Sequence, residues 1–107
     1  MNKYTELSDF EINKKVAEKL GLAYEVTRYV VVTRMSNKEQ WREFNPCNNP
    51  ADAMPIIIEN KIGLSPMYHS NKWTADCLDY DFISVNKNPL RAAMELFLLM
   101  KDAENEG

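Results

Sequence analysis

Apolar residues recur every four positions near the amino terminus of the chain, at Ile12, Val16 and Leu20. This spacing places the three side chains on one face of a helix, because residues i and i+4 are neighbours on a helix surface. Ser8 and Glu11 have the spacing of a capping box, in which each side chain accepts a hydrogen bond from the backbone N–H of the other residue. The pattern therefore predicts a helix over residues 9–20 that ends at Gly21.

A dense run of β-branched and aromatic residues follows at positions 24–35. The middle of this run is apolar at both odd and even positions, which is typical of a strand that is covered on both faces. We therefore expect one central strand here. The polar residues 36–40 that come next predict a loop.

The sequence around residue 50 has the features of a second helix start. Asn49 precedes Pro50, and Asp52 lies where a carboxylate faces the positive end of a helix dipole. Pro55 conflicts with a regular helix, because proline lacks an N–H and its ring clashes with the carbonyl four residues back. We expect a helix that is kinked at Pro55 or regular only from Asp52 onward, and a strand over residues 55–59 is the competing interpretation.

The remainder of the chain predicts three short strands and a final helix. The strands are expected at residues 62–66, 72–78 and 80–85. Asn88 and Pro89 begin the helix, which carries a wide apolar face, and residues 102–107 are expected to form a frayed tail. The element order α-β-α-β-β-β-α predicts an α+β fold, with a small, mainly antiparallel sheet of three to four strands and three packed helices.

Length and charge limit the classes of function. The chain has 107 residues, so we expect residues 1–107 to form a single domain. Its 13 basic and 16 acidic residues give a formal net charge of −3, which argues against nucleic acid as a partner, because binding to phosphates usually requires a basic face. The chain has no apolar run of the roughly 20 residues that a membrane span needs, and its start lacks the apolar region of a secretory signal. We expect a cytoplasmic protein that does not bind membranes.

Several polar residues and one tryptophan are candidates for a binding site: Asn45, Asn48, Asn49, Trp73, Asn88 and Arg91. Exposed amides can recognise both donors and acceptors, and two helix starts with an arginine nearby can bind an anion. Asparagines beside prolines also cap helices and close turns, which is the structural alternative. Trp73 shares the parity of Ala75, so the two side chains are expected on one face of a strand, against the core.

A second candidate site combines Asp52 with Glu59 and Lys61. An acidic residue followed by Glu-x-Lys is the pattern with which a large nuclease superfamily holds Mg²⁺ and stabilises developing charge. The alternative is a solvated pair at the end of a helix. The remaining metal-binding residue types, Cys47, Cys77 and His69, are too scattered for a zinc motif, so no metal or other cofactor is expected.

Exposed aromatic residues are candidates for protein contacts. Trp41, Tyr68 and Tyr80 lie in irregular segments and are predicted to be anchors in an interface. Tyr29 beside Arg28 has the composition of a stacking site for single-stranded nucleic acid, against which the acidic net charge argues.

Three segments carry a resemblance to a known family: FNPCNNPADAMPIIIENKIGL (44–64), KWTA (72–75) and NPLRAAMELFLLM (88–100). They resemble the NinX-type family of small bacteriophage proteins, and the opening SDFEINKKVAEKLGL (8–22) is similar to the start of that family. The resemblance implies a phage or prophage origin, a location in the host bacterial cell and a compact α/β fold. It implies no activity, because the function of the family is unknown.

The resemblance and the missing catalytic motifs together predict a non-enzymatic phage accessory protein that binds a host or phage protein. A Mg²⁺-dependent nuclease is one alternative, and a protein that sequesters a small ligand is another. The sequence leaves self-association open.

Overall fold

A computed structural model describes the backbone of residues 2–106 and the side chains of residues 2–105. The elements in chain order are α1 (Asp9–Leu20), β1 (Ala23–Thr27), β2 (Val30–Arg34), β3 (Arg42–Glu43), α2 (Pro50–Glu59), β4 (Gly63–Pro66), β5 (Trp73–Asp76), β6 (Ser84–Asn86) and α3 (Pro89–Glu106). The α+β class, the antiparallel strands and the three helices in their predicted order are confirmed. The strands are divided between two sheets, with the orders β1-β2-β3 and β4-β5-β6, rather than gathered in one.

Helix α1 begins and ends where the sequence predicted. The backbone N–H of Glu11 donates to Ser8 Oγ at 3.1 Å, and the Ser8 N–H donates to Glu11 Oε1 at 3.2 Å, which completes the capping box. Gly21 ends the helix in the left-handed conformation, with φ 72°, which costs glycine little. The buried face of α1 packs against α3 and the first sheet.

The prediction of one central strand over residues 24–35 is wrong. This segment is a hairpin, in which β1 and β2 pair from Ala23↔Arg34 to Thr27↔Val30 and a two-residue turn joins them. The turn holds Arg28 at φ 54° instead of the Asn-Gly that usually marks such a turn, so the sequence carried no turn signal. The hairpin is only partly covered: Val31 and Thr33 of β2 are buried, whereas β1 is exposed apart from the half-buried Tyr24.

Helix α2 confirms the helical interpretation of the second segment over the competing strand. Asn49 is its N-cap, and Pro55 lies inside the helix. The carbonyl that would accept a bond from position 55 belongs to Ala51, which is exposed, so water can satisfy that oxygen. Proline is therefore tolerated at this position.

The second sheet lies where three strands were predicted, but its last strand is shorter. Only residues 84–86 form β6, so the prediction of a strand from residue 80 is wrong. Asp79 and Asp81 have low strand propensity. Tyr80 and Phe82, which alternate as in a strand, instead stack their rings in the preceding loop, with centroids 5.0 Å apart.

Helix α3 is the centre of the core. It packs against α1, α2 and the strands of the second sheet. Its fully buried residues are Ala92, Ala93, Met94, Glu95, Leu96, Phe97 and Leu98. The residues expected to fray, 102–107, are helical as far as Glu106, and the Tyr4 hydroxyl donates a hydrogen bond to Asp102; Gly107 lies outside the described residues. No helix within residues 2–106 combines the length and apolar character that crossing a membrane requires.

Candidate functional site

The amino-terminal ends of the three described helices meet at the loop of residues 45–49. Asp9, in the first turn of α1, accepts a hydrogen bond from Asn48 of this loop, with 3.2 Å between Nδ2 and Oδ2. It also accepts one from Arg91 in the first turn of α3, with 2.6 Å between Nη1 and Oδ1. Asn49, at the end of the loop, caps α2. The Asp9 carboxylate thus supplies the negative charge that is favourable where positive ends of helix dipoles come together.

The other asparagines of this loop are also bound internally. Asn45 Oδ1 accepts from the amides of Asn13 and Asn48, at 2.9 and 3.1 Å. The backbone N–H of Asn45 donates to Asp52 Oδ2 at 2.9 Å, and Asn13 Oδ1 accepts from the N–H of Cys47 at 3.1 Å. The network fixes the loop against α1 and the start of α2, which is the structural alternative considered for these residues.

Asn49 and Asn88 serve as helix caps. Asn49 Oδ1 accepts from the N–H of Ala51 at 3.0 Å, and Asn88 Oδ1 accepts from the N–H of Leu90 at 2.9 Å. The Asn88 amide also donates to the carbonyl oxygen of Cys47 at 2.6 Å, so it joins the start of α3 to the loop.

Arg91 is buried, with 6% of its surface exposed. Its guanidinium donates to Glu95 Oε2 and Asp9 Oδ1, each at 2.6 Å, and to the carbonyl oxygens of Tyr4 and Leu7 at 3.0 and 2.6 Å. Burial alone would lower the pKa of Arg91, but the bonds to the two carboxylates raise it above its ordinary value. Arg91 therefore neutralises carboxylates of its own chain, and the expected anion site loses the free cation on which it depended.

The residues of the candidate nuclease site lie on or just beyond α2. Asp52 is in its first turn and accepts from the Asn45 backbone, whereas Glu59 is its last residue. Seven residues of helix correspond to about 10 Å along the axis. Oxygen ligands must lie about 2 Å from Mg²⁺, so the two carboxylates are not placed to share one ion. Lys61 follows the helix in a left-handed conformation, with φ 53°.

Trp73 lies in β5, half-buried, between Pro66 of β4 and Asn86 of β6. It shares a face of the sheet with Ala75, which is fully buried, as the alternation predicted. This face packs against α3 through Ala75, whereas Trp73 is not among the described residues that form or border the core, so the expectation that it packs against the core is not met.

Cys47, Cys77 and His69 do not form a metal-binding cluster in the described structure. Burial raises the pKa of the Cys47 thiol to about 12, so this group is an unreactive thiol at neutral pH. Cys77 donates to the carbonyl oxygen of Tyr80, with 3.7 Å between sulfur and oxygen. Within the described residues, no group of three or more His, Cys, Asp and Glu side chains has an arrangement that would hold a metal ion.

A groove of about 790 Å³ runs along the exposed side of α1, beneath the turn between β1 and β2. Phe10, Lys14 and Glu18 line it on the helix, one turn apart. Tyr29 of the turn borders the groove, 84% exposed, and its ring meets Phe10 edge-on with 6.0 Å between centroids and 86° between planes. We refer to these four residues as the α1 groove.

The predicted aromatic anchors occupy different environments. Trp41 is half-buried beneath the Arg34 guanidinium, 4.4 Å from its ring centroid, and Tyr80 is stacked on Phe82. Tyr68 is exposed, as predicted, in the loop between β4 and β5. The sequence does not indicate the contact between Tyr29 and Phe10, because this contact depends on a turn that carries no local signal.

Comparison with protein families identifies one match. A family model described as "Bacteriophage P22, NinX" matches residues 3–101, which extend from the segment before α1 into the second half of α3. A comparison with curated proteins gives no match.

Proposed function

The chain belongs to the bacteriophage P22 NinX family, and from this premise we propose that it is a phage accessory protein that binds a host or phage protein in the cytoplasm of the infected cell. The proposal is for a non-enzymatic protein whose contact surface is the α1 groove. The asparagine-rich loop does not line the groove, and its polar groups are largely used within the fold. The two adjoin at Asp9, which lines the groove and accepts from Asn48 of the loop.

The observation that carries the proposal is the position of Tyr29. Tyr29 is 84% exposed and meets Phe10 edge-on, so it presents a large, partly apolar ring to solvent. Tyrosine is one of the residues that most often dominate the binding energy of protein interfaces, because its side chain buries a large area at a small cost in conformational entropy. Lys14 and Glu18 add charged groups beside it.

Affinity capture from phage-infected cells tests the proposal, with the tagged wild-type chain compared with Tyr29→Ala. Tyr68→Ala is the matched control, because Tyr68 is also an exposed tyrosine in a loop, 89% exposed, but belongs to the other sheet. We expect a reproducible partner that is retained by Tyr68→Ala and at least tenfold depleted with Tyr29→Ala. No reproducible partner, or one that both variants retain equally, would contradict the proposal.

A further inference from the structure

Strand β1 is an open edge of the first sheet. It pairs with β2 over all five of its residues, without a bulge, and in the described part of the chain Ala23–Thr27 make no backbone hydrogen bond outside this hairpin. The opposite edge, β3, has two residues. In the second sheet, β4 ends in proline and β6 has three residues. Of the usual protections of sheet edges, β1 lacks short length, proline and a bulge, and it carries one charged side chain, Glu25.

The outward-pointing backbone groups of β1 can be identified from the register. The carbonyl oxygen of Val31 accepts from the N–H of Phe44 at 2.8 Å, so the backbone of Val31 points away from β1. Val26, which is opposite Val31, therefore belongs to a pair without mutual hydrogen bonds, and its N–H and C=O point out of the sheet. By alternation along an antiparallel strand, the same holds for Tyr24.

The two faces of β1 differ in chemistry. Tyr24 and Val26 share the face that packs on α1, and Val26 is 41% exposed. Glu25 is exposed on the opposite face, where no ion pair joins it to a basic residue within the described chain. Glu43 lies on the same face, across Val32, and Arg34, opposite Ala23, is also on this face. The Arg34 guanidinium lies over the Trp41 ring and forms no ion pair with either glutamate in the described chain.

We propose that an extended segment of the partner protein adds to β1 as a fourth strand, with apolar side chains beside Tyr24 and Val26 and a basic side chain opposite Glu25. This inference rests on the proposed function and names the mode of binding. The edge and the α1 groove are continuous, because the Tyr24 hydroxyl donates to Glu18 of the groove at 2.8 Å. Backbone hydrogen bonds then supply affinity, and the alternating side chains supply specificity.

A second copy of the chain fits this edge less well. In the one antiparallel register that pairs all five residues of β1 with the same five residues of another copy, Glu25 lies directly opposite Glu25. Like charges in that position are destabilising. The charge on the edge therefore favours a basic segment of a different protein.

Two synthetic peptides test the inference, one of alternating valine and lysine and one of alternating valine and glutamate. Backbone amide chemical shifts and hydrogen exchange of the full chain are recorded with each. We expect the lysine peptide to shift and protect the amides of Tyr24 and Val26 and to bind at least tenfold more tightly than the glutamate peptide. Glu25→Lys should reverse this preference, whereas Glu6→Lys, an equal change of charge at an exposed position before α1, should not.

The backbone contribution is tested at Val26. Val26→Pro removes an N–H that points out of the sheet, so the β1–β2 ladder is kept and the lysine peptide should bind at least tenfold more weakly. Val26→Thr keeps both the N–H and the shape, and its affinity should stay within about threefold of wild type. If Val26→Pro does not fold, Glu25→Lys and Glu6→Lys decide the question.

Unperturbed β1 amides, or equal binding of the two peptides, would overturn strand addition. Concentration-dependent protection of β1 in the free protein would overturn it in favour of self-association. If strand addition is overturned but a partner is still captured in a Tyr29-dependent way, the proposed function remains supported. Failure of the capture experiment would remove the premise itself.

Discussion

Arg91 and Asp9 join the start of α3 to the start of α1 through an ion pair of 2.6 Å, although 82 residues separate them in the sequence. The same guanidinium is bonded to Glu95, whose side chain is 1% exposed. One arginine therefore compensates a buried carboxylate and fixes the relative position of two helix ends. From the sequence, Arg91 is a candidate for binding a ligand, whereas in the fold it binds groups of its own chain.

We expect Arg91→Met to destabilise the protein by about 3–5 kcal/mol, because Glu95 is left buried without a compensating charge. Glu95→Met combined with Arg91→Met should recover a large part of this loss, since the unpaired charge is then removed. Urea unfolding of the three variants measures the free energies. Additive losses in the double variant would show that the pair is not coupled.

Asn88 is expected to contribute more to stability than a cap alone. Asn88→Ala removes both the cap of α3 and the bond to the Cys47 carbonyl, and should cost about 2 kcal/mol. Asn88→Ser keeps a capping oxygen but not the second bond, so its cost should be about 1 kcal/mol. Equal unfolding free energies for the two variants would show that the capping oxygen contributes nothing, and an unfolding free energy of Asn88→Ser equal to that of wild type would show that the bond to the loop contributes nothing.

The turn of the first hairpin should be stabilised by glycine. Arg28→Gly removes the backbone strain of a left-handed residue that has a side chain, but it also increases the entropy of the unfolded chain. We expect the unfolding free energy to rise by at most about 1 kcal/mol. Thermal unfolding measures the change. A loss of stability would mean that the Arg28 side chain makes a contribution that outweighs the strain.

The contact between Asp102 and the amino-terminal segment should make stability depend on pH. Burial raises the pKa of Asp102, but hydrogen bonds from Tyr4 and Lys3 outweigh this and hold the pKa below its ordinary value. A carboxylate whose pKa is lowered in the folded state stabilises the fold at pH values above its pKa in the unfolded chain, near 3.9. This stabilisation is lost as the pH falls through the pKa of the folded state. Asp102→Asn should therefore cost roughly 0.2–1 kcal/mol at pH 6, and this cost should shrink toward zero near pH 2. A cost that is the same at both pH values would contradict this origin.

The sequence predicted best the elements that local signals determine. Ser8 with Glu11 and Asn88 with Pro89 mark helix starts through contacts within a few residues, and the structure has helices there. The hairpin was missed because Arg28 occupies a turn position that usually carries glycine or asparagine, so only the paired strands reveal the turn.

The roles of the site candidates depend on contacts between distant segments. Asn45 contacts Asn13, and Asn88 contacts the carbonyl of Cys47, 41 residues away. An exposed amide and a bonded amide have the same sequence signature, so no local pattern separates them. Tyr29 gains its significance from Phe10, which likewise requires the folded hairpin.

The amide-rich loop builds the fold, whereas we propose that the α1 groove contacts the partner protein. Parallel capture from infected cells with Tyr29→Ala and Asn49→Ser tests it most directly, because serine still caps α2 but lacks the amide. We expect Asn49→Ser to retain the partner and Tyr29→Ala to lose it. A partner lost with Asn49→Ser and kept with Tyr29→Ala would show that the loop, and not the groove, makes the contact.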